Sequence, residues 1–297
     1  MIRIFQRRRP LPSDVTWNGA APTAPQEVLI GVGRSGLLRW DLHQSAHMLV
    51  TGPTGSGKTE ALALVTAQAV ARKWRVIVCD PLNPSWAPAR DSLGKAGEAL
   101  EFGNDLTSVR DVLELTSREV ARRMLSARQR GVQTWGRVQY TDVGPDSERA
   151  VLLVLDAAEA FACMEPGASR AEVRRNRVRD AIGGLLDDVL ANGAGVGVHV
   201  LLAGQDAEKL SSVVSVQHVG AALVLEDAQT PGRGRFRARA GRFTMPVQVP
   251  HLARGVGAEA GGPARAVVEA MLLAAVEQGA SEEQVRAALE GLLPAGR

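Results

Sequence analysis

Two short stretches carry residue types that can do chemistry together. GPTGSGKT at residues 52–59 satisfies the pattern G-x-x-x-x-G-K-[ST], with the apolar HMLVT before it and a helix-compatible run after it. Glycines at 52, 55 and 57 let backbone N–H groups turn toward an anion where a Cβ would block the approach. Lys58 can then reach the outer phosphates of a nucleotide, the Thr59 hydroxyl can ligate Mg²⁺, and the following helix N-terminus adds positive potential. The cradle so defined comprises Gly52, Pro53, Thr54, Gly55, Ser56, Gly57, Lys58, Thr59 and Glu60. The ligand chemistry it implies is ATP with Mg²⁺.

The second stretch is VLLVLDAAEAF at 151–161. Five aliphatic residues ending in Asp156 describe a strand that delivers a carboxylate to the magnesium shell. Asp80 also ends an apolar run, but the Pro-Leu-Asn-Pro after it reads as a turn. In sites of this kind a glutamate commonly follows the aspartate and orients the attacking water; here that position is Ala157. Glu159 lies three residues past Asp156 and would need an unusual turn to reach a terminal phosphate. A missing general base costs about 10²–10⁴ in rate. The expectation is therefore a chain that binds Mg·ATP and turns it over slowly, with Ala157 either one lost side chain or part of a wider degeneracy.

The elements that must position these residues are legible in the apolar pattern. Short apolar runs at 47–51, 75–79, 99–102, 150–155, 198–203 and 219–225 alternate with helical stretches at 58–72, 106–130 and 170–192, as in a βαβ protein. In the second helix Leu106, Val109, Leu113, Val120 and Met124 share a face, with arginines elsewhere. GRGRFRARAGRFTMPVQVP, after Pro231, suggests a two-stranded hairpin that closes the domain. A Gly/Pro-rich linker at 254–263 leads to two short helices near 264–278 and 282–292, the latter with a capping box from Ser281 and Gln284. The fold class is α/β with a central, mainly parallel sheet and a small helical C-terminal appendage. The division expected is a basic, Pro-rich lead-in at 1–27, the main domain at 28–250 and the appendage at 251–297.

Composition bounds the rest. At 297 residues and 45% hydrophobic the chain can bury a large core, and with only 4% aromatics that core rests on Val, Leu, Ile and Ala. Cys79 and Cys163 suggest no disulfide framework. No apolar stretch approaches the roughly 18–20 residues needed to cross a bilayer. The basic start MIRIFQRRRP lacks the apolar region of a signal peptide. A cytoplasmic location without membrane insertion is expected. The net charge of +3 is modest, so the clustering of arginine is more informative than the sum.

With both elements in place, the chain resembles the motor domains of the FtsK/SpoIIIE-like DNA translocases, in particular the compact forms of actinobacterial plasmids and phages. Residues 28–59 (VLIGVGRSGLLRWDLHQSAHMLVTGPTGSGKT), RVIVCDPLNP, REVARRMLSARQRGV and GVGVHVLLAGQ at 195–205 carry the likeness, over about residues 28–250. The resemblance implies a RecA-like P-loop fold and a homo-oligomeric ring, a hexamer, that pulls double-stranded DNA through its centre. It assigns Gln205 the role of γ-phosphate sensor. The chain departs from the family at Ala157, at Gly204-Gln205-Asp206 in place of Thr-Gln-Arg, and at Leu82 in place of a basic residue. An arginine expected before the Gly-Val-His stretch is missing, and the C-terminal part looks too short for a winged helix.

Two arginine clusters are candidate contacts. Arg170, Arg174, Arg175, Arg177 and Arg179 fit a solvent-facing helix or a functional contact. Arg233, Arg235, Arg237, Arg239 and Arg242 surround the hairpin, and in a strand Arg233 to Arg239 share one face. Such a stripe could neutralise DNA phosphates in a pore, reach a neighbouring subunit's ATP, or protect a solvated hairpin edge. Alongside an ATP-driven DNA translocase for plasmid or phage transfer, the sequence admits an FtsK-like protein-secretion ATPase of the type VII kind and a non-hydrolysing, nucleotide-dependent assembly switch.

Overall fold

A computed structural model describes residues 16–17, 24, 26–34, 36–72, 74–80, 86, 100–131, 149–162, 166, 169–205, 223–227, 235–240, 243–249 and 251–252. The two C-terminal helices, Arg233, Arg242, Leu82, Cys163 and Asp206 lie outside these residues. The strands are β1 (Thr16–Trp17), β2 (Glu27–Gly33), β3 (Gly36–Asp41), β4 (Met48–Thr51), β5 (Arg75–Cys79), β6 (Leu100–Gly103), β7 (Val151–Leu155), β8 (Val198–Gly204), β9 (Leu223–Asp227), β10 (Arg235–Ala240), β11 (Phe243–Gln248) and β12 (His251–Leu252). The helices are α1 (Lys58–Ala71), α2 (Leu106–Gln129), the short α3 (Glu159–Ala162) and α4 (Arg170–Asn192).

Ten of these strands form one sheet in the order β3-β2-β11-β10-β9-β4-β8-β7-β5-β6. The run from β9 to β6 is parallel, and β3, β2, β11 and β10 add an antiparallel wing. The fold is therefore the α/β, RecA-like P-loop architecture with a mainly parallel sheet. Residues 16–17 of the lead-in pair in parallel with 251–252, and β12 lies against α1, so part of that lead-in is joined to the main body.

Both sheet faces are covered, which explains why β4, β7 and β8 are continuous apolar runs rather than alternating ones. Met48, Val50, Val76, Val78, Leu152, Val154, Leu201 and Ala203 face α1 in one core. Leu49, Ile77, Cys79, Leu153, Leu155, Val200 and Leu202 face α2 and α4 in the other. The alternation by residue along each strand is the period-two geometry of a pleated sheet.

Buried polar groups lock the layers. Gln68 of α1 accepts from the Leu29 amide (2.8 Å) and donates to the Leu29 carbonyl (2.8 Å), where β2 shifts register against β3. The sequence places the arginines of α2 off its apolar face, yet Arg123 is buried. Its guanidinium donates to Val196 O and Arg149 O, and Glu119 accepts from it. Hydrogen bonds from Arg122 and then from Arg123 hold the Glu119 carboxyl down at about 2, against the opposing effect of burial.

Two histidines tie the start of β4 to β8 and α4. His47 donates from Nε2 to Leu190 O and accepts the Val200 amide at Nδ1, while His199 Nδ1 donates to Ala46 O. Burial pushes His199 down to about 3, against the partial opposition of the Ala46 carbonyl. Between pH 6.5 and 3 the unfolded chain therefore binds a proton that the folded chain refuses, and stability falls as pH falls. Urea unfolding at pH 7, 6 and 5 should show the parent losing stability more steeply than His199→Gln, with an excess slope of up to about 1.4 kcal/mol per pH unit. Equal slopes would remove His199 as the cause.

Candidate functional site

The strand that feeds the phosphate loop, β4, pairs with β8, and β8 pairs with β7. The carboxyl ends of all three open on the same edge of the sheet, where α/β proteins bind ligands. Gly52 N donates to Gly204 O (3.2 Å), which fastens the start of the loop to the end of β8. Gly55 (φ 84°) and Gly57 (φ 100°) are left-handed, and a Cβ on Gly55 would meet only open space. Left-handed glycines at these positions let successive backbone N–H groups turn toward an anion.

Lys58 donates from Nζ to the carbonyls of Gly52 (2.7 Å) and Pro53 (2.9 Å), so its cation lies curled over the loop. Pro53, Thr54 and Gly55 are exposed, and the Ser56 hydroxyl is buried within the loop. Glu60 sits in the first turn of α1, where a carboxylate complements the helix dipole.

Thr59 Oγ1 donates to Asp156 Oδ2 at 3.1 Å, across 97 residues of sequence. A hydroxyl and a carboxylate in contact at the edge of a phosphate cradle form a hard oxygen donor set that suits Mg²⁺ completed by phosphate oxygens and water. The two residues that spacing alone had assigned to the metal are thus neighbours. Asp156 also accepts from Trp86 Nε1 at Oδ2 (3.2 Å) and from the Ala157 amide at Oδ1 (3.0 Å). Trp86 is buried and gave no sequence signal, because an indole in a proline-rich stretch does not announce its acceptor.

Ala157, where a glutamate was expected, adopts φ 52°. It is the one non-glycine residue with positive φ among the described residues, an outlier that costs of order 1–3 kcal/mol. The turn sends the Ala158 amide to Ala203 O on β8 (2.9 Å) and starts α3 at Glu159. Glu159 Oε1 accepts from the Gln205 amide, and Gln205 Nε2 donates to Thr54 Oγ1 (3.3 Å). Gln205 thus bridges the end of β8 and the phosphate loop.

The arginine clusters separate by environment. Arg170, Arg174, Arg175 and Arg177 are exposed on α4, whereas Arg179 is buried and donates to Ala160 O on α3 from Nε and a terminal nitrogen (3.4 Å each). On β10, Arg237 and Arg239 are exposed and Arg235 half-buried, opposite the buried Phe236 and Ala238. The hairpin of β10 and β11 forms as expected, but it does not lie at an edge. β10 is bonded to β9 on one side and β11 on the other, so edge protection does not account for the stripe.

The fold and loop define an α/β, RecA-like domain that carries a P-loop, the architecture of FtsK/SpoIIIE-like motors. Compared by sequence, the chain matches no protein-family model and no curated protein. By structure it is similar to the pCW3 conjugation coupling protein TcpA, solved as a monomer with ATPγS, at TM-score 0.68 and 16% identity over 82% of this chain and 71% of that one. It is similar also to EssC (ATPases 2 and 3) from Geobacillus thermodenitrificans, at TM-score 0.67 and 13% identity over 92% of this chain and 53% of that one. Thermomonospora curvata EccC (ATPases 2 and 3), in complex with a signal sequence peptide, matches at TM-score 0.57 and 17% identity over 82% and 44%. The chain thus spans about half the length of the EssC and EccC chains. Among the described residues no helix is long and apolar enough to cross a membrane.

Lys58 supplies the cation of the cradle, so Lys58→Ala should abolish ATP binding or weaken it greatly, as read by calorimetry or a fluorescent ATP analogue. Binding as tight as in the parent would refute the assignment of the loop.

Proposed function

We propose that this chain is an ATPase motor that moves double-stranded DNA. The observation that carries the nucleotide part is the meeting of Lys58, Thr59, Asp156 and Gln205 at three adjacent strand ends. ATP is the substrate, bound through residues 52–60, and Mg²⁺ is held by Thr59 and Asp156. When bound, Mg²⁺ offsets charge on the phosphate oxygens. Lys58 turns from the loop carbonyls to the outer phosphates, and Gln205, already on Thr54, senses whether the loop is filled. The ATPγS found in TcpA supports nucleotide binding in this fold.

The DNA part rests on the exposed arginines of β10, an interior strand whose charge serves no edge. Arg237 and Arg239, with Arg235 and Arg233, would contact phosphates inside a homo-oligomeric ring, with a hexamer as the reading, or one of them would reach a neighbour's ATP. The chain would act in the cytoplasm, in plasmid or phage DNA transfer, in keeping with its similarity to a conjugation coupling protein. Its organisation would be the lead-in to 27, the motor at 28–250 and the appendage from 251.

A second reading, a type VII-like protein-secretion ATPase module, is favoured by the likeness to EccC, solved with a signal sequence peptide. DNA-stimulated ATPase activity supports the first reading, and peptide binding without DNA dependence supports the second. Duplex binding should be largely sequence-independent and weaken steeply between 50 and 200 mM salt, as counterion release requires. Arg237→Glu with Arg239→Glu should weaken it and flatten the salt slope by about two. An affinity indifferent to salt, or no DNA binding with ATP present, would reject the translocase.

Hydrolysis is proposed to be slow, because no carboxylate stands at 157. Ala157→Glu, assayed with and without long duplex DNA, should gain roughly a hundredfold. A variant as slow as its parent would mean either that Glu159 already serves as the base or that the domain is not a motor.

A further inference from the structure

Resting on the ATPase reading, we infer that Glu159 is the carboxylate that takes the proton from the attacking water, displaced by one short turn from the position Ala157 occupies and less efficient there than a carboxylate at 157 would be. The path of the backbone carries the argument. Asp156 N still bonds to Cys79 O on β5, whereas Ala158 N bonds to Ala203 O on β8. Between these two amides the chain crosses from one neighbour of β7 to the other, and the left-handed Ala157 makes the crossing. The helix it starts therefore begins over the end of β8, the strand that separates Asp156 from the phosphate loop. Glu159 is its first residue, and its carboxylate accepts the Gln205 amide while the Gln205 side chain donates to Thr54 in the loop. The unusual turn that Glu159 would need, three residues past Asp156, is present in the structure.

The helix is anchored. The buried Arg179 guanidinium donates to Ala160 O, one residue beyond Glu159, and ties α3 to α4. Glu159 is thus held at the end of the sensor strand, beside the phosphate loop, by a bond to the Gln205 amide. In the step assigned to it, a water oxygen bonds to the terminal phosphorus of ATP as the bond from that phosphorus to the bridging oxygen breaks. The water's proton passes to Glu159 Oε, and ADP and inorganic phosphate leave before the proton is lost to solvent.

A strand-end cap with no part in chemistry would make a different prediction, because its loss would loosen the site as a whole. The experiment compares the full chain with Glu159→Gln, which keeps the size of the side chain. Equilibrium ATP binding, thermal unfolding and single-turnover hydrolysis are measured on both. The expected result is ATP affinity and unfolding temperature close to the parent's, with hydrolysis slower by about 10²-fold and bound nucleotide recovered as ATP rather than ADP. Ala157→Glu added to Glu159→Gln should restore turnover, which shows in the same protein that the fold survives. Hydrolysis at the parent's rate in Glu159→Gln overturns the inference and leaves the ATPase reading standing. A parallel loss of binding and of thermal stability overturns it in favour of the cap. A parent that binds ATP and hydrolyses none also overturns it, whereas a parent that binds no ATP rejects the ATPase reading itself.

Discussion

Parallel pairing of β4 with β8 and of β8 with β7 sets the separation between the phosphate loop and the carboxylate that completes it. Adjacent strands lie about 4.8 Å apart, so two strands' width separates the ends of β4 and β7. The first turn of α1 spans part of that gap and brings Thr59 Oγ1 to 3.1 Å from Asp156 Oδ2. The register that achieves this is specified from both faces, since each strand alternates between the core under α1 and the core under α2 and α4. A slip of one residue would exchange the two faces and also withdraw Asp156 from the edge of the cradle.

The polar groups inside the fold defend the same arrangement. His47 and His199 secure the approach to β4 against β8 and α4, and Gly52 N on Gly204 O repeats the tie at the other end of the strand. Arg123 satisfies carbonyls at Arg149 and Val196, just ahead of β7 and β8, so it fixes where both strands begin. Burying a guanidinium is tolerable only when its donors are occupied, and here backbone oxygens and Glu119 occupy them. Arg179 of α4 is held in a similar way, donating to Ala160 O of α3. Arginine thus serves two purposes in this chain, as an internal brace at 123 and 179 and as exposed charge at 237 and 239.

Trp86 and Ala157 show how the immediate surroundings of Asp156 are built. The carboxylate receives the Trp86 indole and the Thr59 hydroxyl on one oxygen and the Ala157 amide on the other. Three donors leave it little freedom to rotate. The strained turn at Ala157 redirects the chain toward β8 and brings Glu159 to Gln205. Strain at a non-glycine residue persists only where neighbouring bonds over-determine it, and the Ala158 amide on Ala203 O is such a bond.

The phosphate loop, the strand-ending Asp156 and the elements of the parallel part of the sheet were legible in the residues alone, whereas β2, β3 and the short α3 were not among the expected elements. Each is a local property: glycines where the backbone must turn inward, apolar runs of strand length, and amphipathic spacing at 106–129 and 170–192. The likeness to FtsK/SpoIIIE-type motors was legible for the same reason, since its marks lie within contiguous stretches. Apart from Thr59 and Asp156, partners distant in sequence were not legible. Trp86 meets Asp156 across 70 residues, Arg123 meets Val196 across 73, and Gln205 meets Thr54 across 151. Nor could spacing show that β10 is interior, because the place of a hairpin in a sheet depends on which strands flank it. The same limit applied to Glu159, whose reach depends on one backbone angle at Ala157 that alanine does not prefer and that the bonds from β8 impose.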